Sequence, residues 1–564
     1  MPKIDVIKSD LEHLLGGSIT IDQLEQELES AKAEIDRYES DTGLLRIELN
    51  DTNRPDLWST AGLARHLNHM RGKAPMPYDF YSTQPTEKII VDPSMKNIRP
   101  YILAFIVKNK NVDDTLLKEI IQTQEKLCEN YGSHRSSVAI GIYRLKKIHF
   151  PVHYKGYAPD KKSFIPLDDT TERTLHEILE THPKGKEYGS IISPHPLYPI
   201  VEDAAGNVLS MPPIINSQEI GSVQVGDSDL FVEMTGIWLE QLMLACNIMA
   251  CDLYDRGFSV QPVSIEYPYA TTLGKTITAP RDALTTVSIA LSDFSKALGV
   301  QPSWDDINTA LHKIGVHVNT EHSDQQALLT LPPYRTDYLH PVDAVEDYAI
   351  AVGYNRFNPI LPQSATIGRL TPLEEFSEKV RIHMIGMGFE EITFNILRSR
   401  EYIIERQNIG DEPIVEIANP MSANYAALRN RILPSLLEVE SKSARAPYPH
   451  KLFESGEIIR RDDNADYGSI TFVECGSLIA HQKANFSDIH SYLETLLYYL
   501  AKPYTLTEQD RPYYIPGRSA LITLKSSDKI IGEIGEIHPS TLTNWGIQMP
   551  CVYFSITLDL LYAV

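Results

Sequence analysis

Apolar and polar positions alternate along the chain with two different periods, and the switches between them outline its elements. Residues 20–36, beginning TIDQLEQELE, carry the spacing of a charged amphipathic helix, with Thr20 or Asp22 as its cap. A strand-like run, Leu44–Leu49, follows. The dense turn 50–59 then opens into a helix, Thr60–Met70, and 74–78 reads as a linker. From about 86 to 265, strand-like runs such as Tyr101–Val107 and Val138–Ile142 alternate with helical ones, Leu116–Glu129 and Glu172–Thr181. The end of this stretch is strand-rich: Pro196–Asp203, a turn at Gly206-Asn207, Val208–Met211, the double proline Pro212-Pro213, Ile214–Ser217 and Asp229–Thr235. A long apolar helix, Trp238–Leu253, closes it. Residues 271–340 give two helices, Thr285–Leu298 and Trp304–Ile314, each ended by glycine (Gly299, Gly315) as helix C-termini prefer, and then a strand, Ala327–Leu331. The last ~200 residues start with a helix, Pro372–Met387, and alternate strands and helices to the end. The pattern predicts an α+β multidomain fold without internal repeats.

Length and composition agree with that. The 564 residues, 42% apolar and 23% charged, suffice for roughly three to five domains. A net charge of −23 argues against a protein that coats DNA or a membrane, so any nucleic-acid contact needs a local patch or a partner. The five cysteines are scattered without metal-finger spacing, which predicts reduced cytoplasmic thiols. The N-terminus has no apolar signal core, and no apolar run approaches the ~20 residues of a membrane span.

Candidate chemistry concentrates in two places. Asp337, Asp343, Glu346 and Asp347 fall within eleven residues. A helix starting at Pro341 would put the last three on one face, with Asp337 on the extended segment before it. An all-oxygen set suits a hard cation such as magnesium, while acids in a first helical turn equally complement the helix dipole. The second place is Pro212–Thr235. There Ser210, Asn216, Ser217, Glu233 and Thr235 could line a polar pocket that orients water but lacks a strong nucleophile; a proline turn beside a polar strand edge is the plainer alternative. Other motifs fail. His176 and His182 are six residues apart and do not share a helix face, His66 and His69 read as surface or partly packed, and no phosphate-binding loop or nucleophile elbow occurs.

Several segments, in order along nearly the whole chain, resemble one family. They are Glu48–Asp56 (ELNDTNRPD), His182–Gly185 (HPKG), Pro212–Ser217 (PPIINS), Pro332–Asp337 (PPYRTD), Asp343–Asp347 (DAVED) with Gly353–Asn355 (GYN), and Phe453–Gly456 (FESG). Each is weak alone; the ordered set resembles the β subunit of phenylalanyl-tRNA synthetase, in the shorter form typical of archaea and eukaryotes. The resemblance implies an (αβ)₂ heterotetramer that uses ATP to charge tRNA(Phe) with phenylalanine, with the aminoacylation site and its ATP in the α subunit.

The resemblance also implies an order of domains: an N-terminal structural domain (1–85), a mixed α/β editing domain (86–268) and a small winged-helix-like module ending in the acidic helix (269–356). A class II synthetase-like antiparallel-sheet domain (357–564) follows, which has lost its chemistry and keeps an interface with α. The missing Gly-x-Gly-x-x-Arg element fits that loss, since Pro516-Gly-Arg-Ser519 and Gly532-Glu-Ile-Gly535 stand in the final region instead. Editing, the hydrolysis of Tyr-tRNA(Phe), would use Ser210, Asn216, Glu233 and Thr235 as catalytic groups, with Val201 and Ser217 binding substrate. In the family that the chain resembles, aspartate tends to stand in the place of Glu233, which is the one departure in this set. Magnesium, at a site shared with α, would be held by Asp337, Asp343, Glu346 and Asp347. The alternatives are a noncatalytic scaffold for tRNA or a partner, and a free-standing aminoacyl-tRNA deacylase.

Overall fold

Thr20 Oγ1 accepts a hydrogen bond from the Gln23 amide, and the Thr20 amide donates to the Gln23 side-chain oxygen, so the helix expected from residue 20 starts where its capping residue stands. In the computed structural model, which describes residues 2–282, 285–320 and 324–563, this helix covers only Ile21–Leu28. The expected continuation to residue 36 is instead a strand, Ala33–Glu39. It pairs with Leu44–Leu49, which in turn pairs with Lys3–Ile7 in a three-stranded antiparallel sheet. Ala33 is the one fully buried residue of that edge strand, so its sequence shows little of the alternation by which strands are recognised.

The chain forms two units, residues up to 360 and residues 361–564. In the first, nine strands run in spatial order Ile215–Asn216, Val208–Met211, Tyr198–Glu202, Val152–Tyr157, Glu87–Val91, Ser259–Thr271, Tyr101–Lys108, Leu230–Gly236 and Val138–Arg144. Gly274–Ala279 adds a tenth by a hairpin onto Ser259–Thr271, so the border expected at 268/269 falls inside a strand. The helix Leu239–Asp255 lies in the same core. The helix Thr60–Met70 packs against it through a buried polar cluster. There Ser59 donates to Asp252 at 2.6 Å, while Arg65 reaches Asp252 and, at 2.6 Å, Asp255, and lies 4.3 Å over the Tyr334 ring.

His66 and His69 ride on this helix and are buried, deeper than the surface or partly packed positions expected of them, because the helix is covered on two sides. Burial, with the Arg65 charge and His312 adding to it, lowers the pKa of His69 from 6.5 to about 4. A histidine held neutral in the fold protonates first in the unfolded chain. Its contribution is therefore present above pH 6.5 and lost as pH falls toward 4, up to about 3 kcal/mol. Urea unfolding at pH 7 and pH 4.5 should show this loss, and His69→Gln should shrink it.

Between these parts, residues 286–352 build a three-stranded sheet in the order Thr286–Ala290, Gln326–Thr330, His317–Asn319. Three helices pack on it: Leu291–Leu298, Trp304–His312 and Pro341–Val352. The expected helix from Thr285 is thus a strand followed by a shorter helix, ended by Gly299 in the left-handed conformation. The second unit holds a seven-stranded sheet: Glu390–Glu391, His450–Arg461, Ser469–Ala480, Cys551–Thr557, Ile530–Ile537, Tyr514–Leu524 and Tyr504–Glu508. All its pairings are antiparallel except the first. One core joins it to Pro372–Gly386 and Phe486–Tyr499, a second to Leu433–Lys442. Among the described residues no helix is long and apolar enough to cross a membrane.

Candidate functional site

The nine-strand sheet curls until its ends meet, and the seam encloses a cavity of about 160 Å³. Ser210, near one end of the sheet, donates to Glu233 Oε1 at 3.3 Å on the strand next to the other end. Tyr143, on the last strand, donates to the same oxygen at 2.7 Å and lies 3.4 Å from Asn216 Oδ1 on the first. Arg135 closes the seam by donating to the carbonyl of Ile214 at 3.1 Å. The volume is that of a benzene-sized ring, since a cavity of about 150 Å³ accepts benzene.

Glu233 is the chemical centre of this cavity. It is 2% exposed, and its Oε2 is buried without a partner. Burial raises its pKa from 4.5 to about 7, against the hydrogen bonds from Tyr143 and Ser210 and the Arg99 charge, which favour the carboxylate. Near neutral pH it exists in both forms, so Oε2 can accept a proton or hydrogen bond at little cost. Cys128 also lines the cavity, but burial pushes its thiol up to about 12, leaving it a poor nucleophile.

Of the residues singled out from sequence, Ser210, Asn216 and Glu233 stand together in the wall. Thr235 is held elsewhere: its hydroxyl accepts from Arg99 Nε at 2.9 Å and its carbonyl from Arg99 Nη2 at 2.7 Å, both buried. Val201 belongs to the apolar core and is not among the residues of the wall. Ser217 is buried beside the cavity with an unpartnered hydroxyl, and is likewise not part of the wall.

Gly141, Arg135, Asp168, His182 and Lys184 also line the cavity without having been singled out as site residues, and Tyr143 bears on it through its hydrogen bond to Glu233. Only His182 and Lys184 carried a signal, as members of the HPKG segment. Gly141 is required by close approach: a Cβ there would lie 2.0 Å from the Tyr143 hydroxyl and 2.7 Å from Glu233 Oε1.

The acidic helix begins at Pro341, as the sequence predicts. Asp337, Asp343, Glu346 and Asp347 come together with Asp51 around a space of about 20 Å³, room for one ion or water. Cations of the same chain already engage them. Arg335 grips Asp337 through two bonds of 2.9 and 2.6 Å and Asp347 through one of 2.8 Å, and Tyr338 also donates to Asp347 at 2.7 Å. Burial would raise the pKa of Asp337, but the Arg335 charge and hydrogen bonds outweigh it and hold the carboxyl below its ordinary range. Asp343 caps the helix by accepting from the amides of Leu339 and His340, at 2.8 and 2.7 Å. Glu346 meets Lys32 at 2.6 Å.

Among the described residues no three His, Cys, Asp or Glu side chains are grouped so as to hold a metal ion. The oxygen donors suit magnesium in kind, but within this chain the set does not close a metal site.

Comparison with known proteins places this architecture. Residues 358–558 match the family described as phenylalanyl tRNA synthetase beta chain CLM domain, and residues 287–354 match the tRNA synthetase B5 domain. The molecule is therefore a chain of the aminoacyl-tRNA synthetase class. The phenylalanine–tRNA ligase beta subunit of Borrelia recurrentis (strain A1) is 41% identical over 565 residues, covering 99% of each chain. That of Borreliella burgdorferi (strain ZS7) is 41% identical over 566 residues with the same coverage. An N-terminal fragment of the phenylalanyl-tRNA synthetase beta subunit from Pyrococcus horikoshii superposes with a TM-score of 0.59 at 38% identity, covering 63% of this chain and all of that fragment. The chain belongs to the phenylalanine–tRNA ligase beta subunit family.

Proposed function

We propose that this chain is the β subunit of a phenylalanine–tRNA ligase of the short, archaeal/eukaryotic type. It acts in the cytoplasm within an (αβ)₂ assembly that charges tRNA(Phe) with phenylalanine at the expense of ATP bound by α, and it hydrolyses Tyr-tRNA(Phe) itself. End-to-end similarity to named β subunits supports the charging role, and similarity to the whole archaeal fragment supports the short type, although the two β subunits compared above are bacterial.

The observation that carries the editing role is the ring-sized cavity floored by Glu233 with one free buried oxygen. An apolar site cannot strongly reject tyrosine for its added hydroxyl, whereas a second site that hydrogen-bonds this hydroxyl selects it. With Cys128 held as a neutral thiol, water is the nucleophile this chemistry leaves. The three-stranded module with its helices is consistent with a winged-helix-like nucleic-acid contact, and the seven-stranded sheet with a class II-like unit that meets α.

Magnesium would bind at the acidic helix, using the donors least committed inside the chain, Asp343 and Glu346, completed by α. Coexpression with the cognate α subunit tests the whole reading: the pair should copurify, charge tRNA with phenylalanine and release tyrosine from Tyr-tRNA. A monomeric chain that binds no α subunit would overturn it. In the same assembly, Asp343→Asn with Glu346→Gln should lower charging about tenfold at limiting magnesium and less at high magnesium, with the isolated chain still folded. Wild-type charging by that double variant would return both acids to a capping role.

A further inference from the structure

The second unit contains a larger cavity, about 470 Å³, within the size range of small-molecule sites and independent of the editing reading. Its wall is unusual for a chain of net charge −23, because it carries four arginines against three glutamates. Arg431 is tightly paired with Glu412, but two of the other pairs are loose. Arg460 stands 3.4 Å from Glu474 and Arg511 stands 3.5 Å from Glu533, and both guanidiniums are about half exposed. Each can turn toward an incoming anion without first breaking a tight bidentate pair. The carboxylates are held from behind: Glu474 accepts from the Ile432 amide at 2.9 Å, and Glu533 from Tyr513 at 2.8 Å and Tyr514 at 3.2 Å.

Two neighbouring wall residues also carry buried polar atoms with no partner. Arg431 spends Nη2 on Glu412 at 2.6 Å and leaves Nη1 unbonded. Asn430, 6% exposed, donates to Glu412 at 2.9 Å and leaves Oδ1 unbonded. Consecutive residues of the wall thus leave one buried donor and one buried acceptor unanswered within the protein, an unfavourable arrangement that a ligand of matching groups would relieve.

We propose that this cavity binds a small organic anion carrying a phosphate or carboxylate together with at least one N–H donor. The anionic group is taken by Arg460 and Arg511 with Arg431 Nη1 behind them, and the N–H group is taken by Asn430 Oδ1 and the glutamates. Calorimetric titration of the full-length chain with adenosine monophosphate, phenylalanine and inorganic phosphate, each alone, tests this. Saturable one-to-one binding of the nucleotide identifies a phosphate-bearing ligand, and that of the amino acid a carboxylate-bearing one. In either case Arg460→Met with Arg511→Met should weaken binding about tenfold or more, with an unchanged circular dichroism spectrum. Asn430→Leu should weaken the organic probe and leave phosphate unaffected. Saturation by phosphate alone, no saturation at millimolar concentration, or undiminished binding by the double arginine variant would overturn the proposal.

Discussion

Replacing Glu233 with alanine should lower hydrolysis of Tyr-tRNA(Phe) by about 10²-fold while charging with phenylalanine stays near wild type, because among the described residues the lost group is the only carboxylate buried in the cavity wall. Oε1 is already occupied by Tyr143 and Ser210, so the free Oε2 is the atom left to meet a phenol hydroxyl or a water. The pH dependence follows from the raised pKa. If the carboxylate form is required, deacylation rises with pH through an inflection near 7, and Glu233→Gln flattens the curve.

The same shift has the opposite sign for stability. A carboxyl whose folded pKa lies above 4.5 favours the fold while protonated, and that contribution is lost as pH rises through 7. Glu233→Gln should therefore be more stable than wild type at pH 8 while less active, a combination that simple misfolding cannot produce. Gly141→Ala should abolish editing to a similar extent, since its methyl group would displace both Tyr143 and Glu233. Measured rates of tyrosine release unchanged in both variants would remove this cavity from the reaction.

Sequence revealed these features unevenly, for physical reasons. Two helix starts were legible from a local signal, Thr20 with Gln23 and Pro341 at the head of the acidic helix, whereas the helix expected from Glu172 starts at Leu175 after its Thr174 cap. Strand 33–39 was hidden because an edge strand with a single fully buried residue has almost no apolar period to read, and its charges suit a helix equally well. Strand Thr286–Ala290 was absorbed into the helix that follows it directly, with no turn between them. In the cavity, Ser210, Asn216 and Glu233 sit within 24 residues of each other and could be grouped. Tyr143 and Gly141 come from the opposite end of a curled sheet, and no local spacing announces that its ends meet. The acids of the helix were countable, but their counter-ion was not. Arg335 lies inside the PPYRTD segment, yet only the fold aims it at both Asp337 and Asp347.

Arg335→Met should be the most damaging single substitution in this part of the chain. The side chain is 1% exposed and holds two carboxylates that are themselves largely buried. Removing one partner of a buried ion cluster strands the others, at a cost of roughly 3–5 kcal/mol. Urea denaturation should therefore show the transition of the residue 2–360 unit moved to lower midpoint by a corresponding amount. Adding Asp337→Asn and Asp347→Asn should recover much of the loss, because the triple variant buries no unpaired charge.

The single variant also separates the two roles of the acidic cluster. In the wild-type chain Arg335 and Lys32 act as internal cations, so magnesium should change the midpoint little. Without Arg335, Asp337 and Asp347 join Asp343 and Glu346 around a space sized for one ion, and magnesium should restore part of the lost stability where the same ionic strength of sodium chloride does not. A magnesium response in Arg335→Met alone would mean that the four carboxylates can act as a hard-cation site which this chain keeps closed with its own guanidinium. No response in either protein would assign Asp337 and Asp347 wholly to holding Arg335, and leave any metal role to Asp343 and Glu346 at the surface.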